Sequence, residues 1–299
     1  MSQPTVLIEC FETGFRGPWQ DWAVVTIDVI RATTTILTGI AQGRRCFAAE
    51  SLDAAVCLAE RLPNPLLVGE LGGNMPYGFH LTNSPAQLAE RTDTHRPMLL
   101  LSTSGTALIG AAREAQVVYA ACLRNYTAQA ELLVGRYERV ALVGAGSRRE
   151  FRDEDQLCCA RIGSALVAAG YEPLGCTAEI IERWRGAPVE TILGGNSARY
   201  LTDTGQQQDL EFILEHVDDL DCVAQLEGDE LVGHALRAAV EPTGHSLQRS
   251  PAGLVGCTRT SNGDAGDLSR SVDGDPLALA LGRTPVASSL PAFGKEDAT

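Results

Sequence analysis

An alternation running from residue 5 to residue 236 restricts the fold more than any other feature. Short apolar runs occupy residues 5–8, 23–29, 45–49, 66–68, 98–101, 117–121 and 140–143. Helical spacing follows several of them, over residues 33–42, 52–61, 84–91, 106–113, 128–136 and 154–169. A strand that is apolar throughout is buried on both faces, and helices are what cover both faces of a parallel sheet. The pattern predicts an α/β fold, a three-layer α/β/α domain around a parallel-rich mixed sheet. Runs at 222–225 and 230–232 close it as antiparallel additions.

Composition sets the boundary of that domain. From Glu241 to Thr299, Gly, Pro, Ser and Thr supply 25 of 59 residues, and Phe293 is the only aromatic residue. Such a segment buries too little apolar surface to offset its chain entropy. Residues 1–236 are therefore expected to form the domain, and residues 237–299 a low-complexity, disordered tail. An apolar stretch at 277–281 is the one place in the tail with the pattern of a short helix or docking motif.

The 299-residue chain carries a net charge of −14. Residues 241–299 hold 7 acids and 5 bases, so residues 1–240 keep −12 of that charge. Such a surface repels phosphate backbones and argues against nucleic acid as a partner. No apolar run is long enough to span a membrane. Glu9 and Glu12 break any secretory-leader pattern, and the nine cysteines include no CxxC pair, so a cytoplasmic protein is expected. A homo-oligomer is compatible with the sequence. The chain has a single lysine, Lys295. That excludes P-loop, kinase and Schiff-base chemistry from the domain, and any anion there must be held by arginine, metal or backbone N–H groups.

In open α/β sheets, ligands bind beyond the carboxyl ends of the strands. The residues that follow the apolar runs are polar in a consistent way. Asp28-Val29-Ile30-Arg31-Ala32-Thr33-Thr34 follows the second run. Its acid can ligate Mg²⁺ or attack phosphorus, Arg31 can fork onto an oxyanion, and Thr33 and Thr34 can cradle phosphate or simply cap a helix. Glu70 follows the fourth run as a candidate metal ligand, ahead of Asn83-Ser84-Pro85, which suits either ligand contact or helix capping. Ser102-Thr103-Ser104-Gly105-Thr106 offers four hydroxyls and a glycine before a helix, the makings of an anion nest. Gly144-Ala145-Gly146-Ser147-Arg148-Arg149 precedes Asp153-Glu154-Asp155, which pairs cationic groups with acids at a helix start. This last stretch fails as a dinucleotide fingerprint, lacking its third glycine. The five histidines show no metal-ligand spacing, and Cys158 and Cys159 fit a helix core.

Taken in order, DVIRATTT (28–35), GE with GF…NSP (69–85), STSGT (102–106) and GAG…F.DED..CA (144–160) resemble the 2-phosphosulfolactate phosphatase family. The resemblance covers about residues 5–235. It implies a phosphoric monoester hydrolase that uses Mg²⁺ to convert (2R)-2-phospho-3-sulfolactate to 3-sulfolactate and phosphate in coenzyme M biosynthesis. Thr82 and Ser104 stand where the family usually has Gly and Asn.

A phosphomonoester reacts only once its charge is neutralised, so metal, positioning and electrostatics carry such catalysis. The expected arrangement has Asp28, Arg31 and Glu70 as catalytic residues, with Mg²⁺ held by Asp28 and Glu70 and by acids from Glu154 and Asp155. Arg31, Thr33, Thr34, Asn83, Ser84 and the Ser102–Thr106 turn, Gly105 included, would bind phosphate. Arg148 or Arg149 would take the substrate's carboxylate or sulfonate, with Arg124 a weaker candidate. A haloacid-dehalogenase mechanism needs DxDx[TV], and Val29-Ile30 follows Asp28 here. The alternatives are a phosphatase for another 2-phospho-hydroxyacid and a catalytically inactive anion-binding protein on the same fold.

Overall fold

Strand β2 (Ala23–Ile27) is buried at all five positions. Ala23, Val25 and Ile27 enter one core cluster and Val24 another, as expected of a strand with apolar residues on both faces. A computed structural model describes residues 3–236 apart from Glu12 and Arg16. The tail and its 277–281 stretch lie outside the described residues.

The first half of the chain contains β1 (Thr5–Cys10), β2, α1 (Ala32–Ala41), β3 (Cys46–Ala49), α2 (Leu52–Arg61), β4 (Leu66–Gly69), α3 (Pro85–Ala89), β5 (Met98–Leu101), α4 (Gly105–Ala111) and β6 (Val117–Ala121). The second half adds α5 (Tyr126–Leu133), β7 (Arg139–Gly144), α6 (Asp153–Ala168), β8 (Glu172–Leu174), α7 (Thr177–Arg183), a 3-10 turn (Val189–Gly194), α8 (Asn196–Asp203), α9 (Gln207–Glu215), β9 (Cys222–Glu227) and β10 (Glu230–Ala235). Each strand-like run of the sequence becomes a strand. Strand β8 and everything helical between it and β9 carried no clear pattern.

The ten strands form one sheet in the order β4-β5-β3-β10-β9-β6-β2-β7-β1-β8. Strands β4, β5 and β3 are parallel to one another, as are β6, β2, β7, β1 and β8. The two C-terminal strands are antiparallel as expected, and they lie between these blocks rather than outside them. Three successive antiparallel pairings, β3–β10, β10–β9 and β9–β6, reverse the strand sense from one block to the other.

Helix α6 packs on β1 and β7, and α1 reaches β3, β5 and β6. On the other face of β2, β6 and β7, Val24, Val118, Ala141 and Val143 meet Leu108 and Ala112 and the aromatic side chains Phe11, Phe15, Trp19 and Trp22. The rings of Phe15 and Trp19 stack at 4.5 Å. Cys158 and Cys159 are fully buried. Among the described residues no helix is long and apolar enough to cross a membrane.

Candidate active site

The turn after β2 is held by its own hydroxyls. Thr33 Oγ1 accepts from the Asp28 N–H at 3.0 Å and donates to the Asp28 carbonyl at 2.8 Å. Thr34 Oγ1 donates to the Val29 carbonyl, and Thr35 Oγ1 to the Arg31 carbonyl and Asn83 Oδ1. The hydroxyls of Thr33 and Thr34, expected on phosphate, are therefore buried and spent on the backbone. They fix where Asp28 and Arg31 stand. Arg31 Nη1 donates to Asp209 Oδ2 at 2.5 Å and Gln206 Oε1 at 2.6 Å, while its other nitrogens have no partner among the described residues. Asp209 Oδ1 accepts from Ser84 Oγ and the Ala86 N–H. Ser84 also caps α3 through Gln87, so it positions Asp209 and the helix rather than lining the cleft.

Beyond β4 and β5 the polar groups are similarly divided. Glu70 accepts from the Thr103 N–H at 2.7 Å, the Gly73 N–H at 2.7 Å and Thr103 Oγ1 at 2.9 Å. Both of its oxygens clasp one loop to the other. Ser102 and Thr106 exchange hydrogen bonds across the start of α4, and both are buried. Of the four hydroxyls in this turn only that of Ser104 has no partner among the described residues, and Ser104 lines the cleft. Gly105 is fixed by close approach: a Cβ there would lie 2.3 Å from Asp28 Oδ2 and 2.6 Å from Ala32 Cβ. Gly105→Ala should cost about 1–3 kcal/mol of stability through overpacking. Displacing Asp28 should also lower kcat/KM by about 10²-fold. Thermal melts beside steady-state kinetics check both, and wild-type kinetics would show that Asp28 does not depend on this contact.

The third wall comes from the start of α6. Asp155 Oδ1 accepts from the Val29 N–H at 2.9 Å and Oδ2 from the Gly146 N–H at 3.2 Å, tying the turn after β2 to the turn after β7. Glu154 is 1% exposed, and its Oε2 has no hydrogen-bond partner among the described residues. Asp153 points elsewhere, to Arg183. Arg148 lines the cleft whereas Arg149 does not. Arg124, the weaker candidate, is committed to Asp219 and Thr38.

These walls enclose a cleft of about 740 Å³. It brings together Asp28, Arg31, Glu70, Asn83, Thr103, Ser104, Arg148, Glu154 and Asp155, and leaves Thr33, Thr34, Ser84, Ser102, Gly105, Thr106 and Arg149 off its lining. It also contains residues that sequence reasoning missed: Arg152, Asn196, Ser197 and Arg199. The Gly194-Gly195-Asn196-Ser197 helix start was the available signal for two of them. The lining counts six carboxylates, Asp28, Glu70, Glu150, Glu154, Asp155 and Asp203, against four arginines.

Crowding shows in the acids' proton affinities. Burial pushes Asp28 up to about 7, opposed by the Ala32 N–H; Glu70 and Glu154 raise it further, and Arg31 lowers it. Burial also raises Glu154 and lifts Asp155 well above the usual aspartate value, with Asp28 and Glu154 adding to the latter. Buried carboxylates that repel one another are stabilised by a shared cation. Among the described residues no three acid, thiol or imidazole groups converge on one point. Mg²⁺ does not require three, since it is commonly held by one or two carboxylates, waters and substrate oxygens. Asp28 and the orphaned Oε2 of Glu154 suit that role.

Comparison with known proteins bears on the same residues. A family model described as 2-phosphosulpholactate phosphatase matches residues 16–229. A probable 2-phosphosulfolactate phosphatase of Synechococcus sp. (strain WH7803) is 32% identical over 213 residues, covering 69% of this chain and 83% of its own. A protein of the same description from Deinococcus radiodurans is 30% identical over 227 residues, covering 73% of this chain and 93% of its own. A third, from Pseudothermotoga lettingae, is 35% identical over 194 residues, covering 64% and 84%.

Proposed function

The chain belongs to the 2-phosphosulfolactate phosphatase family, and from that premise we propose that it hydrolyses 2-phosphosulfolactate to sulfolactate and phosphate in a Mg²⁺-dependent reaction. The observation that carries this reading is the set of buried, mutually repelling carboxylates facing arginines in one cleft. Such a site suits a phosphomonoester bound together with a cation. Asp28 and Glu154 would hold the metal, whose part would be to neutralise phosphoryl charge. Glu70 and Asp155 keep the loops in place through their backbone contacts.

Arg31 is anchored on one side by Asp209 and Gln206 and presents its remaining N–H groups to the phosphoryl oxygens. Asn83, whose Oδ1 is taken by Thr35, offers its Nδ2 to the same group, and Ser104 offers its hydroxyl. A preset fork of this kind needs little reorganisation as charge moves onto the phosphoryl oxygens. Arg148 would meet one of the two carbon-borne anions of the substrate. On the family resemblance we propose a place for this reaction in coenzyme M biosynthesis and a reduced, cytoplasmic setting for it.

Phosphate release from 2-phosphosulfolactate, 2-phospholactate and p-nitrophenyl phosphate, each with Mg²⁺ and with EDTA, tests the reading. Release that needs Mg²⁺ and is fastest with the sulfonate is the expected outcome. Release from 2-phospholactate alone would keep the chemistry and move the substrate. No release from any of the three by folded protein would overturn the reading.

A further inference from the structure

We propose that Arg152 recognises a second, carbon-borne oxyanion of the substrate, and that Glu150 holds Arg152's place as an internal anion until substrate displaces it. The proposal rests on the phosphatase reading above and names the group that would set its substrate preference.

Arg152 lines the cleft with a side chain only 10% exposed. Its Nη1 donates to Glu150 Oε2 at 2.7 Å, and its Nε is enclosed without a hydrogen-bond partner among the described residues. A guanidinium is built to grip an oxyanion with two parallel N–H bonds. Here one nitrogen is used and another is left with nothing, so the fork is incompletely engaged inside a ligand-sized cleft. A buried donor without a partner carries the full desolvation cost of that group. A carboxylate or sulfonate that engaged the Nε edge would remove this cost.

Glu150 has the features of a displaceable stand-in. Its Oε2 accepts from Asn196 Nδ2 at 2.9 Å as well as from Arg152, so one carboxylate oxygen already occupies the position between two cleft-lining donors. The Glu150 side chain is 55% exposed, so water can take over its oxygens when a substrate anion replaces it on Arg152. Glu150 also sits at the end of a tight turn, hydrogen-bonded both ways to Ser147, in which Arg148 and Arg149 have φ of +53° and +62°. Left-handed backbone at two consecutive non-glycine residues is unfavourable. Moving this turn gives up its two Ser147–Glu150 hydrogen bonds and relieves two left-handed residues.

The test compares wild type with Arg152→Gln, Arg152→Lys and Glu150→Gln. Each is checked for folding by thermal melt and assayed on 2-phosphosulfolactate, 2-phospholactate and p-nitrophenyl phosphate. Titration calorimetry with 3-sulfolactate and with lactate supplies a readout that does not need turnover. Arg152→Gln should reduce the kcat/KM preference for 2-phosphosulfolactate over p-nitrophenyl phosphate at least tenfold, mainly through KM, and weaken sulfolactate binding to match. Arg152→Lys keeps the charge without the fork and should fall between. Glu150→Gln should tighten sulfolactate binding severalfold. A preference for 2-phospholactate that collapses equally assigns the carboxylate to Arg152, and a loss confined to the sulfonate substrate assigns the sulfonate.

An unchanged preference in folded Arg152→Gln and Arg152→Lys, or weaker binding in Glu150→Gln, overturns the proposal while leaving the phosphatase reading intact. Sulfolactate binding that depends on Arg152 in a chain with no phosphatase activity would do the reverse. Failure to hydrolyse any ester or to bind sulfolactate would overturn both.

Discussion

Asp28→Asn should lower turnover by at least about 10³-fold and raise the melting temperature at the same time. The carboxylate that the proposed metal needs is also one that the fold holds unwillingly. Burial, with Glu70 and Glu154 nearby, lifts its pKa from 3.8 to about 7. Stability associated with the protonated acid is complete below its ordinary value of 3.8 and is lost as the pH rises through about 7. Asparagine keeps an oxygen for the Ala32 N–H and never acquires the charge. The two proteins should therefore melt alike near pH 4 and diverge as the pH rises to 8. With each kcal/mol worth about 2–4 °C in a domain of this size, a gap of about 5 °C or more is expected without divalent cation. Calorimetry at both pH values with and without Mg²⁺ checks this, and Mg²⁺ should raise the melting temperature of wild type alone. Wild-type turnover in the variant, or a lower melting temperature at pH 8, would sink the assignment of Asp28.

Asp209→Ala should have the largest effect on stability. Asp209 is fully buried and binds Arg31 Nη1, Ser84 Oγ and the Ala86 N–H together. Removing it leaves a 6% exposed guanidinium uncompensated, a change that costs about 3–5 kcal/mol for buried pairs. A drop of about 10 °C or more in melting temperature should accompany a fall in kcat/KM as Arg31 loses its anchor. Asp209→Asn keeps an acceptor and should recover part of both. A loss under 1 kcal/mol would mean that Gln206 and water already satisfy Arg31.

These two residues also mark how far the sequence could be read. Asp28 and Arg31 announced themselves because they follow a run buried at every position, and such runs end where ligands bind. Asp209 gave no sign. It lies 178 residues from the arginine that it holds and reads as an ordinary first-turn acid of α9. The helices between β8 and β9 are short, and pattern alone seldom separates short helices from turns. The hydroxyls mislead for another reason. Thr33, Thr34, Ser102 and Thr106 look the same as Ser104 in sequence, and only the fold shows that four of them satisfy backbone groups while the fifth faces the cleft. Glu70 and Asp155 fall under the same ambiguity, since an acid able to bind metal is equally able to bind two loops together.

The antiparallel seam has a consequence for the order in which this protein becomes complete. Asp28 and Glu154 belong to the block containing β2 and β7, and Glu70 and Ser104 to the block containing β4 and β5. Strands β9 and β10 join those blocks through only two paired residues on each side. During synthesis every strand of both blocks leaves the ribosome before residue 222, with the inner edges at β3 and β6 still open. Open strand edges invite wrong partners, and contacts of such long sequence separation form slowly. Only closure of the sheet itself awaits Cys222–Ala235; α1 and α4, each packed on strands of both blocks, are synthesised earlier and tie the opposing walls of the cleft without β9 and β10.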